Sequence, residues 1–348
     1  MPTLSAVTAI LSLLIALLVG FFARPLGEAL LLLDFPDTDG GRKRHATVTP
    51  LVGGLAVAIA IVGGAWLSAV IVPEAAPALH LGWLAGSVAV MFAIGIADDR
   101  FHLSPILRLG AALTVLLLVI SEAPDFSLAF LRFSGTGETW LLGRLGDAFT
   151  LLCLVGLLNA VNMADGKNGI VTGMGLIWAV ILALHAPSAM LPVLAAAAVA
   201  LAVIWGFNMA GKLFLGDAGS YAISAFFGLA AVYVYNHDFE VMRADDVAVL
   251  FAIPVFDTVR LMVVRVAHRR SPFEGDRNHL HHHLYASIGW PRGLWIYLAL
   301  VAVPNAGAVL LPGTGLAWLV VSFVAYCGVM WVTRFSAAQA EAAARPAE

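Results

Sequence analysis

Residues 189–207 read Ala-Met-Leu-Pro-Val-Leu-Ala-Ala-Ala-Ala-Val-Ala-Leu-Ala-Val-Ile-Trp-Gly-Phe, without a single charge. A bilayer core takes roughly 20 mostly apolar residues to cross as a helix, and this run is of that size. Comparable runs lie near 4–23, 51–72, 79–97, 105–121, 145–163, 170–185, 219–236, 246–264, 294–312 and 315–333. The pattern predicts an all-α integral membrane protein, a bundle of about 10–11 transmembrane helices. Composition agrees: 61% of residues are hydrophobic, 12% are charged and the mean hydropathy is +0.93. A soluble domain averages about 45–50% apolar and about 25% charged, so no soluble fold would hide this surface.

The first 23 residues hold no Lys or Arg, hence no basic start of a cleavable signal, and are read as the first span. One polytopic domain is expected over 1–333. The Ala- and Glu-rich stretch 334–348 is expected to be a cytoplasmic surface tail. Cys153 and Cys327 sit inside apolar runs and are expected as small buried hydrophobes. Segments 24–50, 98–108, 164–168, 208–216, 265–293 and 334–348 hold fifteen of the 19 Lys and Arg residues. Cytoplasmic loops carry the excess of basic residues, which predicts a periplasmic N-terminus and a cytoplasmic C-terminus. Every polar, motif-like segment then falls on one face of the membrane.

Five such segments stand out. Arg42-Lys43-Arg44-His45 precedes Thr49-Pro-Leu-Val-Gly-Gly54 at the head of a span. A basic cluster there serves either as a topology signal on anionic lipid or, beside a glycine-rich helix start, as a phosphate site. Asp98 and Asp99 end another span, where unpaired acids are costly. A divalent cation would offset their mutual repulsion; a helix cap with Arg100 as partner is the plainer alternative. Asn159 and Asn162 share a helix face ahead of Asp165-Gly-Lys-Asn168-Gly, which also suits a simple turn. Lys212 precedes Gly216-Asp217-Ala-Gly-Ser, an acid at a helix start. Mg²⁺ favours one or two carboxylates completed by substrate phosphates, so Asp217 is a candidate ligand. Asp257 and Arg260, one turn apart, are expected to pair, and the loop after them carries Arg277-Asn-His279-Leu-His281-His282-His283. With no nearby cysteine, these histidines read better as anion contacts or catalytic groups than as a zinc site.

Acids, amides, basic groups and imidazoles on one membrane face suit phosphoryl transfer, which rests on positioning and charge neutralisation. The strings RKRH…TPLVGG, GIADDR, NAVNMADGKNG, FN…KLFLGDAGS and SPFEGDRNHLHHH resemble the polyprenyl-phosphate N-acetylhexosamine-1-phosphate transferases, in the same order, over roughly 34–285. The RKRH and HLHH loops look like the WecA-like branch acting on UDP-GlcNAc; the MraY branch, which transfers phospho-MurNAc-pentapeptide, usually has Pro-Leu-His-His-His. The resemblance implies that undecaprenyl phosphate and a UDP-N-acetylhexosamine give lipid-diphospho-sugar and UMP, with Mg²⁺, or Mn²⁺ in its place. It implies catalytic roles for Asp98, Asp99, His279, His281 and His282. Asp217, Asp99 and Asp165 are the implied metal ligands. Arg42, Lys43, Arg44, His45, Asn159, Asn162, Asp165, Asn168, Lys212 and Arg277 are the implied substrate contacts. Asn168 departs from relatives that carry Asp there, and the stretch from His282 to Gly289 is one residue longer than usual.

The expected location is a bacterial inner membrane, with membrane lipids as surroundings and no nucleic-acid partner; the sequence leaves the oligomeric state open, a homodimer among the alternatives. The alternatives are the same reaction on a modified UDP-hexosamine or MurNAc-pentapeptide, a transporter, or a silent scaffold. A transporter site would lie near the midplane between repeats, and no repeat is visible. A phosphate monoester, with its second pKa near about 6, is mostly dianionic at neutral pH and hardly needs a base. An ordinary Asp, near about 3.9, would be a poor one, so Asp98 and Asp99 are expected to act electrostatically.

Overall fold

A computed structural model describes residues 2–36, 47–71, 78–135, 137–271 and 278–343. The described chain is helical, with ten helices long and apolar enough to cross a membrane and a shorter apolar one at Ile170–His185. All eleven apolar runs read from the sequence are therefore helices. In chain order they are α1 (Pro2–Phe21), α3 (Gly53–Ile71), α4 (Ala78–Phe101), α5 (Pro105–Glu122), α6 (Gly146–Ala164), α7 (Ile170–His185), α8 (Leu191–Met209), α9 (Gly216–Asp238), α10 (Ala244–Ala267), α12 (Arg292–Leu310) and α13 (Gly315–Ala343). Two short helices, α2 (Ala23–Leu30) and α11 (Leu280–Ile288), lie where the sequence suggested loops. Two small antiparallel pairs complete the chain: β1 (Leu33–Asp34) with β2 (Thr49–Pro50), and β3 (Phe130–Arg132) with β4 (Thr139–Leu141).

The bundle is organised around α9, whose apolar window is wholly buried. It packs against α3, α4, α6 and α7. Lipid tails are as apolar as leucine, so helices in a bilayer associate through close packing of small residues rather than by expelling water. The contacts of α9 follow that rule. A Cβ added to Gly95 of α4 would meet the Ala218 Cα at 2.2 Å, and one on Gly54 of α3 would meet the Gly219 Cα at 2.4 Å. The Gly-Gly and Gly-Ile-Ala-Asp-Asp strings thus let two helices touch the first turn of α9 backbone to backbone.

A proline in α10 shows how the bundle satisfies its own polar groups. Pro254 has no N–H, so the Leu250 carbonyl one turn earlier loses its helical partner. The buried Trp178 indole of α7 donates to that carbonyl at 2.8 Å, as an anhydrous surround demands. The two cysteines correct an expectation: both Cys153 and Cys327 are exposed on the outside of the bundle instead of buried. An apolar thiol is equally at home against lipid.

The ends of the bundle differ. At one end α4, α6, α8, α10 and α13 finish while α3, α5, α7 and α9 begin, and the described motif residues are there. At the other, β3–β4 packs under Tyr235 of α9, whose hydroxyl accepts from the Arg132 amide at 2.9 Å. Replacing Gly95 by Val should push α4 off α9. Overpacking of this kind costs about 1–3 kcal/mol. The variant should unfold at a lower temperature in detergent, whereas Gly86→Val on the same helix, where a Cβ meets nothing within 4 Å, should match the parent.

Candidate active site

The first turn of α9 leaves amide groups without intrahelical partners. Asp99, from α4, fills that role: its Oδ1 accepts from the Asp217 amide at 2.9 Å and its Oδ2 from the Ala218 amide at 3.1 Å. The helix-cap alternative is thus realised in trans, with a carboxylate at the positive end of a neighbouring helix. The α3 amides are spent similarly. Gly53 and Gly54 donate to the carbonyls of Phe214 and Leu215 at 2.9 and 3.0 Å, so the Gly-Gly start of α3 locks onto the segment before α9.

Asp98 faces elsewhere, as adjacent helical positions must. It is buried, and its partner is Arg108 of α5 rather than Arg100. The Arg108 Nη1 reaches its Oδ2 at 2.5 Å, the Tyr221 hydroxyl of α9 lies 3.4 Å from the same oxygen, and the Leu103 amide donates to Oδ1 at 3.0 Å. The Asp98 and Asp217 carboxyls are neighbours. Asp217 accepts from the Asn162 amide nitrogen at 2.5 Å, and the same nitrogen lies 3.1 Å from Ser220 Oγ. Asp165 ends α6 close to Asp217 and Asp99. Desolvation, with those two carboxylates beside it, pushes the Asp165 pKa up to about 8.

The remaining sequence candidates are placed as follows. Asn159 donates to the Val155 carbonyl of its own helix at 2.8 Å. Asn168 donates to the Asn208 carbonyl at 2.8 Å, and the Asn208 side chain accepts from the Gly169 amide at 2.6 Å, so this pair fastens the Asp165–Gly169 turn to the end of α8. Lys212 is exposed, its ammonium 5.7 Å from the Phe207 ring centre. Arg42, Lys43, Arg44, His45 and Arg277 lie outside the described residues.

His281 stands against the same turn. His281 is buried, neither ring nitrogen has a hydrogen-bond partner among the described residues, and a Cβ on Gly166 would strike its Nε2 at 2.2 Å. Any side chain at position 166 would have to displace the His281 ring. Burial, then the neighbouring His282 and His279, lowers the His281 pKa well below the usual imidazole value, so its ring is neutral at neutral pH. The His279 and His281 rings are 5.4 Å apart and nearly parallel, and the His282 ring is 4.3 Å from His281. Asp257 pairs with Arg260 at 3.1 Å, as expected, and also takes His279 Nδ1 at 2.9 Å.

Arg108, Tyr221 and Tyr326, whose hydroxyl donates to Asp257 Oδ1 at 2.9 Å, were not singled out by sequence. Arg108 could have been, as a lone cation in an apolar run. The two tyrosines carry no comparable signal.

A divalent cation fits this set with one qualification. No group of three or more His, Cys, Asp or Glu side chains among the described residues is arranged to hold a metal by itself. Asp165, Asp217 and Asp99 nevertheless gather at one place, and a cation there would offset the repulsion between their carboxylates. Mg²⁺ needs only one or two carboxylates when waters and phosphates complete its shell, and Asp165 and Asp217 can supply them.

The fold and this acid cluster define a polytopic membrane protein whose polar chemistry is gathered at one end of the bundle. Residues 80–235, from the start of α4 to the end of α9, match glycosyl transferase family 4. This segment contains Asp98, Asp99, Asn162, Asp165 and Asp217. The chain is 28% identical to a probable undecaprenyl-phosphate N-acetylglucosaminyl 1-phosphate transferase of Bacillus subtilis, over 72% of this chain and 69% of the relative. It is 29% identical to the undecaprenyl-phosphate alpha-N-acetylglucosaminyl 1-phosphate transferase of Salmonella typhimurium, over 82% and 78%. It is also 29% identical to a decaprenyl-phosphate N-acetylglucosaminephosphotransferase of Mycobacterium tuberculosis, over 70% and 67%. The resemblance read from the five motifs is borne out.

Removing Arg108 would leave Asp98 buried beside Asp217 with its cation gone. Breaking a buried pair from one side costs about 3–5 kcal/mol, whereas replacing both partners by apolar groups is often neutral. Arg108→Met should therefore lower the unfolding temperature in detergent, and adding Asp98→Leu should restore most of it.

Proposed function

We propose that the protein transfers N-acetylglucosamine 1-phosphate from UDP-N-acetylglucosamine to undecaprenyl phosphate, releasing UMP, at the cytoplasmic face of a bacterial inner membrane. The observation that carries this reading is the convergence of Asp98, Asp99, Asp165 and Asp217 at one end of the bundle, within the segment that matches glycosyl transferase family 4. The relatives named above act on a polyprenyl phosphate and an N-acetylglucosaminyl 1-phosphate group, which supplies acceptor and transferred group. The basic bias of the segments at that end supports the cytoplasmic side.

An oxygen of the lipid phosphate attacks the sugar-bearing phosphorus of the donor. The bond to the bridging oxygen breaks, and that oxygen leaves with UMP. Two anionic phosphates must approach, so catalysis rests on offsetting their repulsion. Mg²⁺, when bound, supplies Lewis-acid neutralisation of the phosphate oxygens. Asp217 and Asp165 are suited to hold it. Asn162 fixes the Asp217 carboxylate, and Asp99 contributes negative charge while fixing the backbone from which Asp217 projects. Asp98 orients Arg108. His281 stands against Gly166, with the His279 and His282 rings beside it, where a phosphate or the sugar would lie. Arg42, Lys43, Arg44, His45 and Arg277, read from the sequence as substrate contacts, lie outside the described residues.

The test is transfer by the purified protein in detergent, supplied with undecaprenyl phosphate, Mg²⁺ and UDP-N-acetylglucosamine labelled in the sugar. Labelled lipid should form with one UMP per transfer, and EDTA should abolish both. Transfer only from another UDP-hexosamine would keep the reaction and change the donor. Absence of UMP from every UDP-sugar, with folded protein and lipid present, would overturn the proposal.

A further inference from the structure

Outside the acid cluster, Asp257 is the most densely bonded polar group among the described residues at this end of the bundle. It lies in α10, beyond the segment that matches the family, and is buried. Its Oδ2 takes His279 Nδ1 at 2.9 Å, and both its oxygens lie within reach of the Leu280 amide, at 3.1 and 3.2 Å. Its Oδ1 also accepts from the Tyr326 hydroxyl of α13 at 2.9 Å and from Arg260 Nη2 at 3.1 Å. Arg260 in turn donates to the Tyr326 oxygen at 2.7 Å and to the Asn278 carbonyl. One carboxylate thus ties α10, α13 and the start of α11 together, and it does so at the residue that opens the histidine run.

A neutral imidazole donates from one nitrogen and accepts at the other, and the partner of one decides the state of both. A carboxylate can only accept, so His279 Nδ1 carries a hydrogen and the lone pair of the neutral ring is on Nε2. The Leu280 amide fixes where α11 begins. That placement stacks His281 on His279 and sets it against Gly166. A plain structural brace would need the Arg260 and Tyr326 contacts but not the bond to the imidazole.

We propose that Asp257 is a positioning residue for the transfer reaction: it holds His279 in the Nδ1–H form and seats α11 so that His281 stands against Gly166 with the His279 ring beside it. This rests on the function proposed above for its kinetic consequences, but not for the ring geometry itself. An amide at this position can donate to Nδ1 and stabilise the opposite tautomer, which is how a carboxylate-to-amide change disables an oriented histidine in other enzymes.

The test combines ¹⁵N spectra of ring-labelled histidine with steady-state kinetics on the full chain in detergent. His279 is assigned by the signal lost in His279→Gln. In the parent, His279 should show a protonated Nδ1. Asp257→Asn should move it towards the Nε2–H form and lower kcat by about 100-fold or more, the span of a positioned acid–base or donor group. KM for the nucleotide-sugar should stay within about threefold, since ground-state binding is untouched. Tyr326→Phe removes one donor to Asp257 but not the imidazole, so spectrum and kcat should stay near the parent. Asp257→Asn should cost little in a His279→Gln background. A parent spectrum with Nε2–H alone on His279 would overturn the proposal without any variant. So would an equal loss from Asp257→Asn with and without His279, or a loss that tracks only the folded fraction. If the parent transfers nothing from any UDP-sugar, the proposed function falls while the spectra still decide the role of Asp257.

Discussion

Asp99 and the first turn of α9 hold each other in place, and the acid cluster is arranged around that contact. A helix start needs acceptors for its free amides, and a carboxylate near a membrane span needs donors. The two requirements are met by one pair of bonds between residues far apart in sequence, Asp99 to the amides of Asp217 and Ala218. The contact forms because Gly95 lets α4 lie directly on Ala218, and because Gly54 lets α3 do the same at Gly219. Position 217 then projects from a backbone held on two sides, with Asn162 holding its side chain. Rigidity of this kind is what a site that works by placing charge requires.

The spans were legible because lipid imposes a simple rule: each crossing must be one long apolar run, and ten helices of the described chain meet it, with a shorter apolar one at Ile170–His185. The polar strings were legible as well, since acids and amides at span ends have few bland explanations. What sequence could not supply was pairing. Asp98 and Asp99 look alike in the chain, yet one meets Arg108 and Tyr221 while the other caps α9, because neighbouring helical positions point in different directions. Arg108 counted as one more basic residue near a loop until α5 brought it to Asp98. The histidine run looked like a loop; Leu280 and Leu284, one turn apart and buried, make it the short helix α11. The cysteines misled because burial from water and burial in protein differ in a membrane.

The geometry also bears on how the carboxylates act. Both oxygens of Asp98 are already engaged, one by Arg108 and Tyr221 and the other by the Leu103 amide. Both oxygens of Asp99 accept backbone hydrogens. A general base has to meet the proton that it removes within hydrogen-bond reach, and neither side chain is poised for that. The lipid phosphate, mostly dianionic at neutral pH, asks for neutralised charge more than for a base. Under the proposed function, Asp98 would serve by orienting Arg108, and Asp99, Asp165 and Asp217 by concentrating negative charge where a divalent cation and two phosphates would meet.

The measurement that tests this most directly is the pH dependence of sugar-phosphate transfer by Asp98→Asn, alongside the parent, with Mg²⁺ saturating throughout. Electrostatic positioning predicts a loss of about 100-fold or more, the scale of removing one preorganised group, at every pH from about 6 to about 9. Full recovery of the variant at high pH, where the acceptor or solvent no longer needs a base, would contradict the account and make Asp98 a proton acceptor.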